Sequence, residues 1–327
     1  MESISKTKIG TAEASRIVDD AFGGGVRLAG MVEMTDGWFN AAYRLALSDG
    51  RSVVLKIAPP PHVEVLTYET DILRAEVAAL RVVRERTTAP VPEVLWVDEA
   101  CAHLPSRSFL MVFVPGESLR HEADRITPEA RAALDRVIGR HLREIHQIVG
   151  PSFGLFSPSM PRHERWVDAF GEIFRAVLSD GRRRDVALPI GYDDAEAVLV
   201  ACTGALDQVT LPRLVLWDLW DGNVMIDPDT FTLTGLLDLE RAMWGDPLLE
   251  AQFGRPVTAA FTEGYGCEVL ATAGERCRRE LYSLYLLLVM SIEGAYRQYP
   301  SDPLGEWARG RLAATVARCH ELAVTAG

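Results

Sequence analysis

Apolar positions alternate with polar ones along the first third of the chain and recur at helical spacing after it; the change falls at Pro115-Gly116. Residues 8–22 read as a short helix that Gly23-Gly24-Gly25 ends. Strand-like runs follow at 26–34, 41–47 and 52–57, the last two joined by Ser48-Asp49-Gly50-Arg51, a hairpin signal. Residues 68–84 carry Ile72, Leu73, Val77, Leu80 and Val83 on one helical face. Ala89-Pro90-Val91-Pro92 breaks the chain, and 94–97 and 108–114 read as two more strands. The pattern then predicts helices at 128–148, 164–179, 193–206, 248–264, 275–299 and 303–325. The expected fold class is α+β: a small β-rich unit over residues 1–115 and a larger, mainly helical unit over 116–327.

One stretch interrupts the helical half. Short apolar runs at 214–216 and 224–226 flank a polar loop, and Asp227-Pro228-Asp229-Thr230 turns the chain back into a third run at 233–237. This brings Asp218 and Asn223 to one place and delivers Asp238 beside them. Singly, Asp and Asn between strands are turn formers. Together, in the spacing D-x4-N…D-x-E, they supply a proton acceptor, a neutral oxygen ligand and a second carboxylate, the parts that Mg²⁺-assisted phosphoryl transfer uses.

The first half holds a matching charge. Lys56 lies inside the apolar run Val53-Val54-Leu55-Lys56-Ile57, either as an edge-strand lysine facing water or as a strand lysine that pairs with phosphates and a helix glutamate. Glu76 sits centrally on the next helix beside its apolar stripe, with Glu69 as the competitor. The loop 35–40 carries Gly37 and could fold over phosphates or be an ordinary turn.

A net charge of −12 argues against a nucleic-acid groove or an anionic membrane surface as partner. The five cysteines form no C-x-x-C pair, and neither they nor the histidines give a zinc pattern. The N-terminus lacks an apolar leader, and the longest apolar run, around 281–290, is too short for a bilayer, so a cytoplasmic location is expected.

A lysine in the third strand, a glutamate on the following helix, a strand ending in a glycine hinge and the Asp/Asn/Asp loop together resemble the aminoglycoside phosphotransferase and choline kinase-like family. That family is a branch of the protein-kinase-like bilobal fold. The resemblance runs from Gly37-Trp38-Phe39-Asn40 to residues 276–298 and looks especially like the antibiotic-phosphotransferase branch. It implies that Asp218 is the base for the acceptor hydroxyl and that Asn223 and Asp238 ligate Mg²⁺. By the same resemblance Lys56, oriented by Glu76, would hold the phosphates of ATP or GTP. The hinge around Met111, Phe113 and Val114 would receive the nucleotide base.

Two departures stand out. The family usually has His-Gly-Asp where this chain has Leu216-Trp217-Asp218, and an aromatic residue where Leu239 lies between Asp238 and Glu240. The implied acceptor is a small molecule: an antibiotic, or an amino alcohol or sugar. A nucleotide-binding module without catalysis is the reading from another class, and it usually lacks one of the five residues retained here. Candidate pocket residues are Trp217, which could wall the pocket or pack in the core, and Trp220, which could stack on a sugar or base or be core. Glu263 and Glu293 could bind amines or be solvated helix charges, and the contact of Glu240 with the metal is left open.

Overall fold

The computed structural model describes residues 3–254 and 256–326. The alternating runs form β1 (Leu28–Met34), β2 (Ala41–Leu47), β3 (Ser52–Ile57), β4 (Val94–Asp98) and β5 (Ser108–Val112), an antiparallel sheet in the order β1-β2-β3-β5-β4. β3 is central, which explains why it is apolar throughout rather than alternating. Side chains of odd number on β3 (Val53, Leu55, Ile57) pack under α1 (Thr11–Phe22) with Ile17 and Val18. The opposite face carries Val54, which joins α2 (Ile72–Arg86) through Leu73, Val77 and Leu80. Strand parity puts Lys56 on that second face, so it points inward under α2 and is not an edge lysine.

The helix expected from residue 68 begins later. Thr67–Glu69 form one 3-10 turn, and Asp71, at φ 57°, reverses the backbone before α2 starts. Asp tolerates the left-handed region better than most residues, and its carboxylate is taken by Arg107 at 2.6 Å. The break rotates Glu69 away from the α2 face that Glu76 occupies.

After β5 the chain passes through Gly116, at φ 117°. A Cβ there would lie 2.3 Å from the Ile226 carbonyl oxygen, so this crossing needs glycine. The helical part contains α3 (Pro128–His146), α4 (Trp166–Arg183), α5 (Tyr192–Ala201), α6 (Thr203–Leu206), α7 (Ala259–Tyr265), α8 (Ala273–Arg297) and α9 (Pro303–Ala326). Thr127 caps α3 ahead of Pro128, and Thr272 with Glu275 forms a capping box on α8. Short strands β6 (Glu117–Ser118), β7 (Gly154–Leu155), β8 (Arg213–Val215), β9 (Val224–Ile226), β10 (Leu233–Leu236) and β11 (Met243–Gly245) make two small sheets, β10-β9-β6 and β7-β11-β8. Among the described residues, no helix is long and apolar enough to cross a membrane.

One expected helix is corrected. Residues 248–264 form two 3-10 turns, Pro247–Leu249 and Ala251–Gly254, and only then α7. Gly254 and Pro256 oppose a continuous helix, and Glu250 and Gln252 turn inward to bond the loop that follows β8.

That loop holds Trp217 at φ 66°, a conformation suited to glycine. The indole is only 2% exposed, stacked on Tyr285 at 5.2 Å between ring centroids and edge-on to Tyr68 at 5.5 Å. Left-handed backbone costs ~1–2 kcal/mol, whereas deleting a buried Trp costs ~3–5 kcal/mol. Packing therefore wins. Trp217→Gly is expected to lower stability in a urea titration by ~2 kcal/mol or more despite the relaxed backbone. A variant as stable as the parent would show that the strain dominates.

Candidate active site

Lys56, carried inward by β3, meets three carboxylates from two segments, α2 and the turn after β10. Its Nζ lies 2.6 Å from Glu76 Oε2 on α2, 2.5 Å from Asp238 Oδ1 just after β10, and 2.9 Å from Glu240 Oε2 in the next turn. Asn40, at the end of the loop 35–40, donates its amide to the same Glu240 oxygen at 2.6 Å. Glu69 is elsewhere: its Oε1 pairs with Arg297 Nη2 at 2.5 Å, which settles the competition for Lys56 in favour of Glu76.

Three carboxylates against one ammonium leave the cluster with surplus negative charge, and the carboxyl groups divide accordingly. Burial pushes Glu76 up to about 8 and Glu240 up to about 7, against the pull of Lys56. Asp238 goes the other way: burial opposes its charge, but Lys56 outweighs it and holds the carboxyl below its ordinary range. Burial likewise opposes the charge on Lys56, yet Asp238, Glu240 and Glu76 together keep it firmly protonated. Asp238 is also the open member, 34% exposed where Glu76 and Glu240 are buried.

Asp218 and Asn223 stand on the loop between β8 and β9. The Asn223 amide donates to the Asp218 main-chain oxygen at 2.9 Å, and the Leu237 N–H donates to the Asn223 main-chain oxygen at 2.9 Å, so Asn223 lies alongside the start of the Asp238 turn. From below, Glu250 accepts the Leu216 N–H at 2.6 Å, Gln252 donates to the Leu219 oxygen at 2.9 Å, and the Ala251 N–H donates to the Trp217 oxygen at 3.1 Å. His146 backs Glu250 at 3.3 Å. The Asp218 carboxylate itself faces Arg241 Nε at 3.6 Å. Burial pushes this carboxyl up to about 6, with Arg241 pulling it back.

The donor set suits a hard divalent cation. Because the Asn223 NH₂ is committed to a carbonyl, its Oδ1 is left as a neutral acceptor, on a loop bonded at Leu237 to the turn that carries the half-buried Asp238. At the hinge, Met111 is buried within the sheet, opposite Val54 and Val94. The Phe113 N–H is used by Ser52, and the Phe113 ring lies under Arg44 at 4.0 Å. Among the described residues, the Val114 N–H has no main-chain partner, which leaves a donor just beyond the end of β5.

The five pocket candidates scatter. Trp217 is core. Trp220 is 38% exposed, with Arg120 over its ring at 5.2 Å. Glu240 belongs to the Lys56 cluster. Glu263 forms an exposed ion pair with Arg136 at 2.8 Å between α7 and α3 and takes no part in the Asp218 network among the described residues. Glu293 is buried between Arg297 at 3.0 Å and Arg241 at 3.8 Å, already neutralised rather than open to an amine. Sequence reasoning missed Asn40, Glu250, Gln252, Arg241 and Arg297. The readable signal for Arg241 was its place directly after Asp238-Leu239-Glu240; Arg297 offered none beyond a basic residue ending a helix.

The model of the phosphotransferase enzyme family matches residues 31–276, from β1 into α8. No curated protein matches the chain. Among solved structures, a candidate fructosamine-3-kinase from Thermobifida fusca YX-ER1 is similar at 24% identity and TM-score 0.67, over 96% of this chain and 99% of that one. The aminoglycoside phosphotransferase APH(4)-Ia is similar at 19% identity and TM-score 0.65, over 94% and 99%. APH(2")-IIa, in a ternary complex with streptomycin and ATP, is similar at 15% identity and TM-score 0.62, over 96% and 99%. These likenesses show a shared kinase-like fold, and the family match extends over well more than half of the sequence. The chain belongs to the phosphotransferase enzyme family and is a phosphotransferase.

Proposed function

We propose that the protein transfers the γ-phosphoryl group of ATP or GTP to a hydroxyl of a small molecule, with an antibiotic as the first acceptor class. The observation that carries this is the convergence of Lys56, Glu76, Asp238 and the loop holding Asp218 and Asn223 from four separate segments. Retention of the full set speaks against a non-catalytic module. The division of labour follows the fold: residues 1–115 hold the nucleotide, residues 116–327 hold the base and the acceptor, and Gly116 is the joint between them.

Asn223 and Asp238 would hold Mg²⁺, which supplies charge neutralisation at the phosphates. Lys56, fixed by Glu76, faces the phosphates, and the Val114 N–H meets the nucleotide base. Asp218 accepts a hydrogen bond from the acceptor hydroxyl and takes its proton as the phosphoryl group arrives. Positioning and electrostatics carry the acceleration.

A second reading has its own support. Glu293, the buried carboxylate beside the base, is cancelled by two arginines. That leaves fewer anchors for a polycationic drug and favours a sugar-derived amine of lower charge, the kind of acceptor that the name of the Thermobifida neighbour describes.

The test is a phosphate-transfer assay with ATP and GTP on aminoglycosides, peptide and nucleoside antibiotics, and fructosamines. Asp218→Asn is expected to lower kcat by ~10²–10⁴-fold with nucleotide KM little changed; nearly intact turnover would end the assignment of the base. Since the base must be ionised and its carboxyl titrates at about 6, turnover should be full above that value and fall as the pH drops through it. A kcat profile flat down to about pH 4, where an ordinary carboxylate titrates, would contradict the role. Glu263→Gln should change kcat and KM by less than about twofold, as an exposed ion pair away from the network predicts. A selective loss on amine acceptors would restore Glu263 to the pocket.

A further inference from the structure

The loop beneath Asp218 is held by main-chain bonds to Asn223, Glu250 and Gln252, but those bonds do not fix its carboxylate. Among the described residues, the one charged side chain paired with that carboxylate is Arg241, at 3.6 Å. Arg241 is itself unusually constrained. Its side chain is 12% exposed, and its guanidinium lies over Trp217 at 5.2 Å and over Tyr68 at 5.5 Å. It ends the 3-10 turn Leu239–Arg241 that begins directly after Asp238, so a single turn places both the open carboxylate of the Lys56 cluster and the partner of the base.

We propose that Arg241 is a positioning residue: packed against both the Tyr68 and Trp217 rings and braced by Glu293, it fixes the Asp218 carboxylate in the orientation the acceptor hydroxyl needs. This rests on the phosphotransfer reading above. The brace continues outward: Glu293 pairs with Arg297 at 3.0 Å, and Arg297 with Glu69 at 2.5 Å. Arg297 also lies over Phe39, in the loop 35–40, at 5.0 Å. The base is thus tied through two arginines to the 3-10 turn ahead of α2 and to the loop beside the Lys56 cluster. A planar guanidinium is suited to this place because it can lie over an aromatic ring and still point Nε at a carboxylate. A flexible ammonium stacks less well but keeps the charge.

Arg241→Met, Arg241→Lys, Asp218→Asn and Arg241→Met/Asp218→Asn decide the matter, assayed with the fastest acceptor of the panel and for Mg·ATP hydrolysis, with thermal unfolding alongside. Arg241→Met should lower kcat ~10²-fold, the scale of loss for a misplaced catalytic group, with nucleotide KM within about twofold. Arg241→Lys should recover part of that loss. In the Asp218→Asn background, Arg241→Met should cost little further turnover, since both changes act through one carboxylate. The two sites should also be coupled in unfolding temperature by ~2 °C or more. A merely structural arginine would instead reduce stability, lower kcat by the same factor in both backgrounds and show no lysine rescue; that pattern overturns the proposal. Near-normal turnover of Arg241→Met, or unfolding temperatures that simply add, overturns it while leaving phosphotransfer intact. A parent protein that neither hydrolyses Mg·ATP nor phosphorylates any acceptor overturns the phosphotransfer reading and the positioning role with it.

Discussion

A single buried ammonium organises this protein. Lys56 reaches from the central strand of the sheet to α2 and to the turn after β10, so one charge joins the sheet, the helix packed on it and the helical part of the chain. Burying a charge is costly unless it is paired, and three carboxylates more than pair this one. The surplus is the informative feature. Glu76 and Glu240 are pushed upward because they are buried beside other carboxylates, while the more exposed Asp238 stays ionised. The half-buried Asp238 is the member of the cluster that remains partly open.

The loop carrying Asp218 shows how a family pattern can be altered without dismantling its geometry. Where the resemblance leads one to expect His-Gly-Asp, Leu216 and Trp217 stand, and both are buried. Support comes from the segment 250–252, which takes the loop's N–H groups and carbonyls through Glu250, Ala251 and Gln252. Trp217 keeps a glycine-like backbone because its ring is sandwiched in the core, where packing outweighs the local strain. The same ring serves as one wall for Arg241, so the substitution at this position and the arginine beside the base belong to one arrangement.

Around Asp218, arginines rather than free carboxylates set the electrostatics. Arg241 and Arg297 cancel Glu293, and Arg297 also engages Glu69. An acidic overall composition therefore does not translate into free acidic groups around Asp218. Net charge describes the whole surface, while recognition depends on which few charges remain uncancelled in the cleft.

What the sequence alone determined was whatever depends on local spacing. A period-two run and a continuous apolar run joined by an Asp-Gly turn specify β2 and β3, helical stripes specify α2, α3 and α8, and the D-x4-N…D-x-E spacing specifies a loop and a returning strand that bring Asp218, Asn223 and Asp238 together. The central place of Glu76 on its apolar stripe already favoured it over Glu69, but only the tertiary structure gave the reason that separates them, a one-residue reversal at Asp71 and the pairing of Glu69 with Arg297. It alone broke the expected helix at 248–264, since Glu250 and Gln252 gain more by bonding the Asp218 loop than by continuing helical turns. It alone separated Glu263, exposed beside Arg136, from Glu293, buried between two arginines. A residue's periodicity reveals which face it occupies; which opposite charge waits on that face depends on residues that are distant in sequence and meet only when the chain folds.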